Sequence, residues 1–148
     1  MRLTSRGDYG LRALIELALV HRVGRPVQVK DIARRQDIPE DYLGQLMVSL
    51  RKAGLVESVR GPSGGYVLSR APEEITLAQA LEVLEGPLGQ TECSLHDNRA
   101  RCGMATGCAI QESWSRAARA ALDVLESVTI EDLARRQREI TRTLSFHI

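Results

Sequence analysis

The sequence predicts a mainly α-helical chain carrying one small β-hairpin. Three observations point there. Apolar residues recur at helical spacing along most of the 148 residues. One stretch, Leu55–Leu68, instead alternates in the strand sense around Gly61-Pro-Ser-Gly-Gly65. Aromatic residues make up only 3% of the chain, so Leu, Ile, Val and Ala must fill the core, which suits packed helices better than a sandwich or barrel.

The elements follow in order. Ser5-x-x-Asp8 has the form of a capping box opening a helix to about His21, with Leu11, Leu14, Ile15, Ala18 and Leu19 as its apolar stripe. Gly24 and Pro26 stop it. A second helix fits Val29–Gln36, with Ile32 and Ala33 facing inward. Asp37-Ile-Pro39 interrupts the chain, and a third helix starts near Pro39 and continues through Tyr42, Leu43, Leu46, Met47 and Leu50 to Ala53. Gly54 is its natural stop. Leu55–Val59 and Tyr66–Leu68 read as strands either side of the glycine turn. Helix, helix, turn, helix, hairpin is the order of a winged helix-turn-helix.

A short helix at about Thr76–Leu84, with Thr76 as its cap, ends at Gly86-Pro87. Residues 88–107 show neither period. A long helix runs from about Cys108 to Ser127, with Ile110, Trp114, Ala117, Ala118, Ala121, Leu122 and Leu125 along one side. Its alanine-rich side permits close approach of a second copy, so it is read as a dimerisation helix. Thr129-x-x-Asp132 opens a last helix to about Ile140. The implied organisation is a winged helix-turn-helix domain over 1–85, a cysteine-containing loop over 86–107, and dimerisation and C-terminal helices over 108–148.

The net charge of +1 hides an asymmetry. Residues 1–70 carry 12 Lys/Arg against 7 Asp/Glu, whereas residues 71–148 carry 8 against 12. A basic first half suits a polyanionic partner, double-stranded DNA in this context. The start of the chain is polar, and no apolar run approaches the ~20 residues of a membrane span, so a cytoplasmic protein with no membrane association is expected. No Ser/His/Asp set, phosphate loop or H-E-x-x-H pattern is visible among residues that include three histidines, which argues against an enzyme.

The tight turn between helices two and three lets the latter lie in a major groove. Asp41, Tyr42 and Gln45 face outward at its N-terminal end, where Gln can bond adenine and Asp can accept from cytosine. Asp41 and Glu40 can equally complement the helix dipole, and Tyr42 can belong partly to the core. Arg51 and Lys52 are placed to reach phosphates. Arg60 opens the wing and suits a minor groove. Gly61, Ser63, Gly64 and Gly65 form its tip, the glycines allowing close backbone approach and positive φ.

Cys93, Cys102 and Cys108 form C-x8-C-x5-C, which is not the paired spacing of a zinc finger. All three lie in or beside a turn-rich loop that can fold around a group needing several thiolates. Spacing alone leaves an iron–sulfur site, a buried thiol set, zinc and a thiol redox switch open.

Met1-Arg-Leu-Thr-Ser5, Tyr42-Leu-x-Gln-Leu46, Leu50-Arg-Lys-Ala-Gly-Leu-Val56 and Ser58-Val-Arg-Gly-Pro-x-Gly-Gly-Tyr66 together resemble the IscR/NsrR family of bacterial transcription regulators. The resemblance spans the chain. It implies a homodimeric repressor on a pseudo-palindromic operator, with Cys93, Cys102 and Cys108 holding an iron–sulfur cluster. IscR-type members place a histidine three residues after the last cysteine, where this chain has Gln111. NsrR-type members have an N-terminal aspartate that supplies an oxygen ligand from the partner subunit, and Asp8 stands in that setting. The resemblance therefore implies a 4Fe–4S cluster ahead of a 2Fe–2S one, sensing nitric oxide, redox or iron–sulfur status. Gly44 stands where IscR-type members have a base-reading glutamate, so the operator does not carry over. The rival within the same class is a cluster-free winged-helix regulator that senses thiols or a small ligand.

Overall fold

The computed structural model describes residues 3–88 and 108–145. Helix α1 (Ser5–Val20) is capped one residue earlier than the sequence suggests. Thr4, in extended backbone, accepts from the Gly7 N–H, and its own N–H and hydroxyl both donate to Glu85 at 2.9 and 2.8 Å. Thr4 and Ser5 are both competent caps, and the tie to Glu85 favours Thr4. Asp8 consequently closes no box with Ser5; it pairs with Arg12 one turn along, at 2.9 Å. A short 3-10 turn (His21–Val23) follows, and Gly24 at φ 65° reverses the chain.

Helix α2 (Val29–Gln36) buries Ile32 and Ala33, as their spacing predicts. Its outer end is tied back to α1, where Glu16 accepts from Arg35 at 2.9 Å and from Gln36 at 2.7 Å. Helix α3 (Glu40–Lys52) has Pro39 as its N-cap, just outside the first turn where the sequence puts it. Beyond its end Gly54 takes φ 73°. The Leu55 N–H then reaches Leu50 O, and the Gly54 N–H reaches Arg51 O, both at 3.0 Å. This pairing satisfies the last carbonyls of the helix and turns the chain into the hairpin.

Strands β1 (Val56–Val59) and β2 (Gly65–Leu68) pair antiparallel, with Val56 opposite Leu68 and Val59 opposite Gly65. Val27 adds a one-residue antiparallel bridge to β2 by exchanging both hydrogen bonds with Tyr66, at 3.0 and 2.8 Å. The base of the wing is thereby fastened to the loop before α2. A second 3-10 turn (Pro72–Glu74), which the sequence pattern does not reveal, leads to α4 (Leu77–Glu85). Thr76 caps α4 in a full capping box with Gln79.

Helix α5 (Ala109–Ser127) contains no buried residue. Helix α6 (Ile130–Ser145) opens on the expected Thr129–Asp132 box and runs further than the predicted end near Ile140. Its last turns present Ile140 and Leu144 to solvent, so no buried apolar face marks its end. Hydrogen bonds from Thr129 N–H and its hydroxyl hold the Asp132 carboxyl below the ordinary carboxylate range, with Arg135 adding to the effect. The start of α6 returns to the winged domain: Ile130 N–H bonds Ile75 O at 2.9 Å, and Leu77 N–H bonds Val128 O at 2.8 Å.

One core joins these elements. Leu14, Ile32, Leu43, Leu46, Met47, Leu50, Ile75 and Ile130 are all fully inaccessible within a single cluster. Truncating any of the leucines to Ala is expected to cost about 2–5 kcal/mol. Inward anchoring of α3 by four such residues leaves its opposite face a rigid outer surface.

Candidate nucleic-acid interface

That outer surface carries the reading-helix candidates. Asp41, Gln45, Arg51 and Lys52 are exposed on α3. Tyr42 divides: its ring is half-buried, packs on the core and meets Tyr9 edge to face at 6.1 Å between centroids. Arg51 also reaches Ser58 on β1, at 3.5 Å, which links the end of α3 to the wing.

In the wing, Arg60, Gly61 and Ser63 are exposed and Gly64 is buried. The turn is Gly61-Pro62-Ser63-Gly64, closed by the Gly64 N–H on Gly61 O at 2.9 Å, with proline at the position its fixed φ suits. The glycines differ in their reasons. Gly61 takes φ 112° and Gly65 φ 153°. Gly64 does not have positive φ, contrary to the expectation for all three. It is glycine because a Cβ there would collide with the Val59 carbonyl oxygen. Gln28, the residue before α2, braces the tip by donating to Pro62 O at 3.5 Å.

Sequence reasoning overlooked three residues on this surface. Val48, 37% exposed, stands on the outer side of α3 among polar neighbours. Its signal was available, since it falls outside the Leu43, Leu46, Met47, Leu50 stripe. Gln28 had no signal, because its role depends on the wing folding back. Arg6 is the third. Its Nε donates to Leu84 O at 2.6 Å and its Nη2 to Ser49 Oγ at 3.2 Å. Arg6 thus ties the start of α1 to the last turn of α4 and to α3 at once.

Of the proposed metal ligands, Cys93 and Cys102 lie outside the described residues. Cys108 is a free, half-exposed thiol at the N-cap of α5. It borders a hollow with Gln111, Glu112 and Ser115. Asp8 lies on the half-exposed side of α1 with Arg12 as its partner. Among the described residues of one chain, no three His, Cys, Asp or Glu side chains converge to hold a metal ion. No helix among them is long and apolar enough to cross a membrane.

Comparison with known proteins bears on this surface. A family model, Rrf2, described as an iron-dependent transcriptional regulator, matches residues 3–136. The chain is 42% identical over 134 residues to the HTH-type transcriptional regulator CymR of Bacillus subtilis, covering 90% of each. It is 37% identical over 133 residues to the regulator IscR of Pectobacterium carotovorum, covering 90% of this chain and 79% of that one. Among solved structures it resembles CymR, described as the global cysteine regulator of B. subtilis, with a TM-score of 0.79 and 40% identity over 92% of this chain and 98% of the other. T. potens IscR gives a TM-score of 0.76 at 34% identity, over 95% and 90%.

Proposed function

The chain belongs to the Rrf2 family of transcriptional regulators, and from that premise we propose that it is a dimeric, cytoplasmic repressor whose grip on DNA is set by a labile iron–sulfur cluster. Its relatives are DNA-binding regulators rather than enzymes, and so is this protein. The single observation that supports the docking mode is the two-faced α3. One side is locked into the core by Leu43, Leu46, Met47 and Leu50, and the other offers Asp41, Gln45, Arg51 and Lys52 beside the exposed Arg60 of the wing. In this reading α3 enters a major groove and Arg60 the adjoining minor groove, with Gly61, Ser63 and Gly64 shaping the tip. Tyr42 contributes its outward edge only.

The cluster reading assigns Cys93, Cys102 and Cys108 as thiolate ligands and Asp8 of the partner subunit as the fourth. The described donors suit the group. Cys108 is free and stands at a helix N-terminus, which favours negative charge. Asp8 is held only by a surface ion pair, whose small worth lets the carboxylate exchange partners. A bound cluster of the 4Fe–4S type, or 2Fe–2S, would supply a centre open to attack by nitric oxide or oxygen at its hard carboxylate corner.

A second reading is favoured by the 42% identity to CymR: a cluster-free regulator answering to thiols or a small ligand. Anaerobic purification followed by iron and sulfide counts separates the two. Brown protein whose iron content falls in Cys108→Ser is the expected result. Colourless, iron-free protein after reconstitution would leave the thiol-responsive reading standing. Binding to duplex DNA at two salt concentrations tests the shared part, since a phosphate-gripping regulator must lose affinity steeply as salt rises.

A further inference from the structure

Gly44 occupies the interior of α3, where glycine is the least favourable residue after proline. Other glycines here have internal reasons. A Cβ on Gly10 would run into Leu84 of α4, and Gly24, Gly54 and Gly61 take positive φ. Gly44 has neither reason: its φ is helical, and a Cβ built on it meets nothing within 4 Å. The space it leaves faces outward, one turn from Asp41 and beside Gln45.

Val48 follows one turn later and is 37% exposed. Residues four apart stack on one helix face, and helical side chains lean toward the N-terminus. Val48 therefore leans over the turn that Gly44 leaves bare. Together they make a shallow apolar notch on a face whose other exposed residues, Glu40, Asp41, Gln45, Arg51 and Lys52, are all polar or charged.

Among the base edges of a major groove, the apolar group is the thymine C5-methyl. We propose that the Gly44–Val48 notch receives a thymine methyl, so that each half-site is read at one position by shape and apolar contact. The proposal rests on the DNA-reading role of α3 given above. Gly44 supplies depth, and Val48 supplies the apolar wall.

The test uses full-length protein and a duplex that it has itself selected from a random-sequence library. Each thymine is replaced in turn by deoxyuridine, which removes the methyl and leaves the pairing edge intact. At one position per half-site the swap is expected to weaken binding about fourfold, the equivalent of one buried methylene-sized group. Val48→Ala should lose sensitivity to that swap and to no other. Gly44→Ala should melt at a higher temperature than the parent protein and yet bind the selected duplex more weakly, a combination that misfolding cannot produce. Uniform indifference to uracil would overturn the proposal, as would unchanged affinity in Gly44→Ala. If Gly44→Ala weakens binding while no uracil matters, the notch clears the sugar-phosphate backbone and the thymine assignment falls. A parent protein that selects no duplex would remove the DNA-reading role itself, and the notch with it.

Discussion

Arg60 is the residue on which the DNA-binding reading is most exposed to test. Among the described residues it forms no ion pair, and its side chain stands free at the mouth of the wing. Arg60→Ala should therefore leave thermal stability within about 0.5 kcal/mol of the parent. It should weaken duplex binding by about 1–3 kcal/mol and make that binding less salt-dependent, as titration by fluorescence anisotropy would show. Equal affinity in the variant would remove the wing from the interface. Legibility at this scale was uneven. Arg60 is recognisable because an arginine before a glycine turn has few internal uses. Gly64 and Asp8 were misread in part, because sequence shows that a residue is small or acidic but not which neighbour it meets. The Val59 carbonyl decides the first, and the prior claim of Thr4 on the cap decides the second.

At the scale of elements, helix periods placed α1 through α4 within a residue or two, since each has a buried face on the common core. What periodicity could not show is the clasp between them. Thr4 and Arg6 both hold the end of α4, through Glu85 and Leu84, and Arg6 also holds α3 through Ser49. Ser49 in turn donates to Gln45 O, on the turn that presents the reading residues. These contacts join positions about eighty and forty apart in sequence, beyond the reach of any local pattern. The end of α4 also precedes, in sequence, the segment that carries Cys93 and Cys102. Arg6→Ala should destabilise the protein by about 1–3 kcal/mol, because the Leu84 carbonyl loses its charged donor. Ser49→Ala removes the arm to α3 together with the Ser49 bond to Gln45 O, spares the Leu84 contact, and should fall within about 1.5 kcal/mol of the parent. If the clasp transmits the state of the cysteine-bearing segment, both variants should narrow the difference in duplex affinity between iron-loaded and iron-free protein. An unchanged ratio in both would show that the signal reaches α3 by another route.

On the scale of the whole molecule, α5 stands out because none of its residues is buried. The sequence gives it a single apolar stripe, and the structure divides that stripe in two. Ala118, Ala121, Leu122 and Leu125 are half-buried, and the helix packs against α4. Ile110 and Trp114 remain 79% and 54% exposed, and Val124 is 62% exposed. Leu144 of α6 adds another exposed apolar side chain at 62%. Large side chains left in water along a nineteen-residue helix are a liability for a lone chain, and a second copy is the simplest cover. A two-fold pair would also present two reading helices to one duplex. Ile110→Glu places a charge at the exposed start of the proposed contact, one turn from Trp114, without touching the core, because Ile110 is among the most exposed apolar residues described. The variant should sediment as a monomer where the parent sediments as a dimer, and its Trp114 fluorescence should shift to the red as the indole meets water. It should also lose operator affinity although α3 and the wing are intact, since one half-site contact cannot draw the second. A variant that stays dimeric would move the interface elsewhere, whereas a monomer that still binds as tightly would show that this regulator reads DNA one subunit at a time.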